Sequence, residues 1–184
     1  MSARRLLEKH GAEAVTMRRV ARGVRITPMA IYRHYTNRAD LLNAVGGEGF
    51  EELAAELARK RFSGRVEERL TKMLEIYLEH AFRNPRLFEL MFLIPRRGAR
   101  RYPRDFKAGH SPTHNLMVEV VREGMARGQF RKGDAWEIVF EMGALSHGLI
   151  MLYLGGRTSM TPAGFRALYR RSFRRYIQGM RNGR

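Results

Sequence analysis

The sequence predicts an all-α protein of nine helices: a three-helix head containing a helix-turn-helix, then a larger helical body. Three observations carry that prediction. Apolar residues recur at helical spacing between capping residues, prolines and glycines through nearly the whole chain. No sustained run of β-branched residues alternates with polar ones, as a strand would require. Val20 to Tyr35 reads as a short helix, a tight turn and a second short helix, in a chain of net charge +17.

The first helix covers Ser2 to His10 and stops near Gly11. Thr16 caps the second, whose buried stripe is Met17, Val20, Ala21 and Val24. The third spans about Pro28 to Tyr35. Thr27 caps it, and Pro28 suits its first position, where a backbone N–H has no helical partner in any case. Ile31 and Tyr35 face inward; Met29 and Arg33 face outward. Asn37 caps a fourth helix carrying Leu41, Leu42, Val45, Phe50, Leu53 and Leu57, with a bend expected at Gly46, Gly47 and Gly49. The fifth helix runs from Glu67 to Phe82 and ends at Asn84-Pro85. Pro85 starts a short sixth over Leu87 to Leu93, and Pro95 to Ser111 reads as a basic loop. Pro112 opens the seventh, to about Arg127. The eighth runs from Gly133-Asp134 to Gly155-Gly156, and the ninth from Pro162 to about Met180. The head is residues 1–46 and the body residues 47–184.

Charge and composition narrow the function. Thirty-five Lys+Arg against eighteen Asp+Glu point to a polyanionic partner, an Arg-rich composition being the alternative. Residues 1–45 hold nine Lys/Arg and three Asp/Glu, and residues 142–184 hold no acid. The absence of cysteine excludes disulfides, thiolate metal sites and a Cys nucleophile. Met1 to His10 is charged and is no signal peptide. Met142 to Gly156 is the longest uncharged apolar stretch, short for a membrane span and interrupted by His147. A buried helix, no membrane partner and a cytoplasmic location are therefore expected. His110 and His114 are spaced like a helical metal pair, but Pro112 separates them and no third ligand is near, so no metal is expected. No nucleophile elbow, phosphate-binding glycine loop or carboxylate pair marks an enzyme, and no cofactor is expected.

The N-terminal residues resemble the tetracycline-repressor (TetR) family of transcriptional regulators. The matching residues are Gly11, Thr16, Val20-Ala21, Val24, Ile26-Thr27, Ala30, Tyr32, His34-Tyr35, Arg38 and Leu41-Leu42. The C-terminal part resembles the subgroup named for a Trp, a His and a Gly: Trp136, His147 and Gly148 stand at the matching places, after Gly124, Gly128-Gln129-Phe130 and Asp134. The resemblance implies a homodimer with a DNA-binding head, an effector-binding body, and an interface made by the last two helices of each subunit. Effector binding would lower operator affinity. Two departures stand out. Arg25 occupies a turn position where the family usually has glycine, which accepts positive φ at little cost. The first helix is also about two turns shorter than usual, so either the chain starts upstream or the head is less stable than most.

Roles follow for individual residues. Thr16 and Arg18 stand at one helix N-terminus, and Asn37 and Arg38 at another, where free N–H groups suit phosphate. Capping alone, or a solvated charge, is the simpler alternative for each. The resemblance puts Tyr32 and His34 on the DNA backbone, and Arg25 adds a phosphate contact or leaves the bend partly to Gly23. Base reading falls to Thr27, Pro28, Met29, Ala30 and Arg33, with Pro28 and Met29 suited to thymine methyls and Arg33 to guanine or a phosphate. Tyr77, Phe82, Phe88, Met91, Phe92, Met117, Met142, His147 and Met151 are candidates for an effector pocket taking a hydrophobic or aromatic compound, with ordinary core as the alternative. Trp136, Phe140 and His147 share one helix face. With Phe165, Tyr169, Phe173 and Tyr176 of the last helix they are candidates for the dimer interface. A nonspecific architectural nucleic-acid binder is the competing reading, supported by the charge and by the basic loop Arg96 to Lys107. The large apolar body argues against it.

Overall fold

In the computed structural model, residues 2–95 and 98–182 are described. Among them the chain forms ten α-helices and a 3-10 turn, with one isolated antiparallel bridge, Phe130 to Arg181, and no strand. The helices are α1 (Ala3–His10), α2 (Met17–Val24), α3 (Pro28–Tyr32), α4 (Arg38–Arg59), α5 (Val66–Arg83), α6 (Pro85–Phe92), α7 (Arg104–Lys107), α8 (Pro112–Ala126), α9 (Ala135–Leu154) and α10 (Pro162–Gly179). The 3-10 turn is Ala12–Ala14.

The helix beyond the nine expected is α7, inside the stretch read as a basic loop. Asp105 accepts from the Arg101 N–H at 2.7 Å and from Arg104 Nε at 2.8 Å, which closes that turn. Arg96 and Arg97 of the same stretch lie outside the described residues. α3 is shorter than expected, ending at Tyr32 rather than Tyr35.

The residues divide into two compact units. The first comprises the chain up to Ala55 and His80–Ala99; the second comprises Glu56–Glu79 and the chain from Arg100. The chain crosses the division within α4 and within α5, and again after Ala99.

The first unit extends beyond residues 1–46 because α6 packs into it. Leu87, Phe88, Leu90 and Met91 are buried together with Leu6, Leu7, Val20, Ile31, Leu41, Leu42, Val45 and Leu53. Arg4 donates to Asn84 Oδ1 at 3.2 Å, and Arg86 to the Glu8 carbonyl at 3.2 Å. The glycines do not interrupt the helix: α4 is continuous from Arg38 to Arg59. Gly49 instead makes room for α6, since a Cβ there would lie 2.6 Å from Met91 Sδ and 2.9 Å from Leu87 Cδ2.

In the second unit, α9 buries Ala135, Val139, Met142, Ser146 and Ile150, all on one face. α10 buries Phe165, Tyr169, Phe173 and Ile177. Tyr153 stacks on Phe165 at 4.3 Å between ring centres, and Tyr169 meets Phe173 at a tilt of 57° and 4.8 Å. The Tyr169 hydroxyl donates to the Leu74 carbonyl at 3.0 Å and pairs with Ser146 Oγ. Burial pushes the Tyr169 phenol well above its usual pKa. Phe165, Tyr169 and Phe173, expected at a dimer interface, are each 1% exposed and belong to the chain's own core. The aromatic stripe of α10 is already covered within the chain itself.

α9 is long and apolar enough to cross a membrane by length and composition, and 22% of its apolar window is buried. Burial, expected for the whole helix, holds for one face. Phe140 and Leu152 remain 38% and 51% exposed, with Ala144 and Gly148 exposed between them. Tyr102 stacks on Phe140 at 4.1 Å, and Phe106 meets His114 edge-on at 4.6 Å. His114 lies mostly inside this cluster, with Nδ1 3.0 Å from Ser111 Oγ. Burial, assisted by Arg100, lowers its pKa to about 4.

This predicts a pH dependence. The folded-state pKa lies below that of the unfolded chain, so the unfolded state binds the extra proton first. The contribution is fully present above about pH 6.5 and is lost as pH falls towards 4, with an upper bound of about 3 kcal/mol. Urea denaturation across pH 4–7 should show that loss in the parent and a smaller one in His114→Gln.

Candidate nucleic-acid interface

α2 and α3 present the helix-turn-helix, and hydrogen bonds at each end fix its geometry. The Thr16 hydroxyl accepts from the Arg19 N–H at 3.3 Å, capping α2. Thr27 accepts from the Ala30 N–H at 3.2 Å, capping α3, with Pro28 in its first turn. Asn37 Oδ1 accepts from the Asp40 N–H at 3.0 Å at the start of α4. Each side chain replaces a partner that a helix N-terminus lacks.

The turn between α2 and α3 is made by Arg25 itself. Its φ of 59° and ψ of 42° are left-handed, and no other non-glycine described residue has positive φ. The Arg25 N–H donates to the Arg22 carbonyl at 3.3 Å and the Ile26 N–H to the Ala21 carbonyl at 3.0 Å, the double closure that ends many helices. Gly23 lies within α2 and does not share the bend. Left-handed geometry costs a non-glycine residue about 1 kcal/mol or more. Arg25→Gly should therefore stabilise the protein by about 1 kcal/mol in chemical denaturation. If the exposed guanidinium meets a phosphate, the same variant should bind DNA more weakly, with the salt slope reduced by about 0.9.

Arg18, Arg25, Thr27, Pro28, Met29, Tyr32, Arg33 and His34 are exposed; Thr16 and Ala30 are half-buried. Residues 14–36 contain no acid, and Arg18, Arg19, Arg22, Arg25 and Arg33 form no ion pair within the described residues. Five cations are left for an external anion. Ile31 is buried as expected.

Two side chains depart from the expectation. Val24, expected in the core, is 42% exposed because α2 ends there. Arg38, expected on phosphate, turns inward instead. Its Nε donates to the Val15 carbonyl at 2.8 Å and Nη2 to the Ala12 carbonyl at 2.7 Å, with Glu13 at 3.5 Å. It braces the segment leading into α2. The carbonyls of a non-helical stretch are visible only once the chain is folded, so the sequence offers no signal for this role.

The effector candidates fall into two groups. In the second unit, Tyr77 Oη lies 3.5 Å from His147 Nδ1, Met142 is buried, and Met117 and Met151 are half-buried. Burial raises the Tyr77 pKa and lowers that of His147. Phe82, Phe88, Met91 and Phe92 belong to the first unit, where Phe92 packs on Phe50 and Phe88 at 5.1 and 4.7 Å. Of the interface candidates, Trp136, Phe140, His147 and Tyr176 keep accessible surface. Arg122 lies over the Trp136 ring at 5.9 Å, and the Tyr176 hydroxyl donates to Glu141.

Residues 2–45 match the family model described as bacterial regulatory proteins, tetR family. Residues 70–176 match the model described as tetracyclin repressor-like, C-terminal domain. No curated protein is similar enough in sequence to count as a relative. Among solved structures, a protein of unknown function from Rhodococcus sp. RHA1 aligns with TM-score 0.79 and 27% identity, over 98% of this chain and 92% of that one. A tetR-family regulatory protein from Rhodococcus RHA1 aligns with TM-score 0.67 and 18% identity, over 99% and 94%. A TetR variant from Acinetobacter baumannii AYE, solved in complex with minocycline, aligns with TM-score 0.69 and 17% identity, over 96% and 90%.

Proposed function

The chain belongs to the tetR family of bacterial regulatory proteins, and on that premise we propose that it is a dimeric, ligand-responsive repressor of a palindromic operator. The observation that carries the proposal is the exposed face of α2 and α3. It offers five arginines without acidic partners, in a segment free of Asp and Glu. Such a face is complementary to a duplex groove flanked by phosphates.

In this reading Arg18, Arg25, Tyr32 and His34 hold the DNA backbone and set position. Thr27, Pro28, Met29, Ala30 and Arg33 meet base edges. Arg33, exposed at the end of α3, reaches a guanine through two parallel N–H bonds. The exposed apolar face of α9, around Phe140, Ala144, Gly148 and Leu152, packs against a second copy. A two-fold dimer presents two heads to half-sites about one helical turn apart, which is why the operator is a palindrome.

Effector control follows from population shift. A ligand lowers operator affinity only if it binds one arrangement of the dimer better than the other. The half-buried Tyr77–His147 pair, with Met117, Met142 and Met151 in the same unit, suits an apolar compound carrying one polar group. An effector role for the body is in keeping with the neighbouring TetR variant solved in complex with minocycline.

The test is competition at moderate salt between a duplex selected from a random pool and the unselected pool. The proposal expects one palindrome to be preferred by about 1,000-fold or more. Equal affinity for both, with a steep salt dependence, would favour the nonspecific architectural reading.

A further inference from the structure

Among the described residues, four of the eight large apolar side chains left exposed lie between Val24 and Tyr32. Val24 is 42% exposed, Ile26 45%, Met29 69% and Tyr32 50%. The local core does not need them, because Ile31 on the opposite side of α3 is already buried at 4%. An apolar cluster of this kind on a small exposed element marks a contact surface.

Its surroundings identify the partner. Arg22, Arg25 and Arg33, all exposed, adjoin these residues along the chain, and no acid lies within residues 14–36. A protein partner would leave those cations unmatched unless it were itself strongly acidic. A DNA major groove satisfies both features, with phosphates along its edges and one apolar group on its floor, the thymine C5-methyl. Met29 in α3 and Arg33, the helical-conformation residue that caps its end, are four residues apart and so about one turn from each other.

We propose that Val24, Ile26 and Met29 form a thymine-methyl reader. The operator half-site then carries thymine methyls against Met29 and the turn residues, beside the base pair met by Arg33. This rests on the operator-binding reading and specifies what the operator contains.

The test uses the full chain and the duplex selected from a random pool. Each half-site thymine is replaced in turn by deoxyuridine, which removes only the methyl. At one or more positions affinity should fall about 4-fold, the worth of one buried methyl-sized group. Met29→Ala should bind the thymine and deoxyuridine duplexes equally at the position Met29 covers, while Arg33→Ala should weaken both and keep the difference between them. Met29 contributes little to the core, so the truncated protein should retain its helical circular dichroism. A selected half-site without thymine, or deoxyuridine duplexes bound as tightly as the parent at every position, would overturn the inference while leaving operator binding intact. Failure to select any sequence would instead remove the operator reading on which it rests.

Discussion

Arg38→Ala should destabilise the first compact unit by about 2–3 kcal/mol, a loss visible in chemical denaturation. The guanidinium donates to two backbone carbonyls, Val15 at 2.8 Å and Ala12 at 2.7 Å. The Val15 carbonyl belongs to the extended residue after the 3-10 turn, and the Ala12 carbonyl accepts from the Val15 N–H at 3.0 Å as well as from Arg38. Truncation removes two charge-assisted bonds at once and frees the segment that delivers Thr16 to the start of α2. Arg38→Lys should recover only part of the loss, since an ammonium cannot reproduce the planar fork. DNA affinity should fall with stability. If stability is unchanged and the salt slope drops by one phosphate contact, Arg38 faces DNA and its bracing role is wrong.

Gly124→Ala should cost the second unit about 1–3 kcal/mol. Gly124 lies in the last turn of α8, and its carbonyl accepts from the Gln129 and Phe130 N–H groups at 2.9 and 3.2 Å. The chain therefore folds back so that the Phe130 ring lies on the bare Cα. A Cβ would stand 2.7 Å from Cε2 and closer still to Cδ2. The ring has nowhere to go: Phe130 is 1% exposed, and the Arg131 N–H donates to the Met180 carbonyl at 2.8 Å beside it. Gly47→Ala is the control. Nothing lies within 4 Å of its Cβ position in the middle of α4, so alanine there should stabilise by up to about 1 kcal/mol through helix propensity. A Gly124→Ala protein as stable as the parent would mean that the Phe130 ring shifts freely.

The sequence made the helices and their starts legible because those depend on local signals. Thr16, Thr27 and Asn37 each cap the helix they were expected to cap. The spacing of Met17, Val20 and Ala21 identifies the buried face of α2. What the sequence did not reveal depends on partners distant along the chain. Arg38 looks like a phosphate ligand until the carbonyls of Ala12 and Val15 are in place. Phe165, Tyr169 and Phe173 look like an unpaired apolar stripe until α5 and α9 cover them. Val24 fits the helical period but stands on the last turn of α2, where the chain departs and leaves it exposed. Arg25 was legible as an anomaly; its left-handed backbone means that the turn keeps its geometry at the cost a Cβ incurs there.

Operator reading by α2 and α3 underlies every other role proposed above. It is tested most directly by measuring how Tyr32→Ala and Arg33→Ala bind a short selected palindrome, with the oligomeric state followed by sedimentation. Both side chains are exposed and outside the core. Affinity should be about 10- to 100-fold weaker for Arg33→Ala and clearly reduced for Tyr32→Ala, with dimerisation unchanged. Parental affinity in both variants would contradict operator reading by these helices.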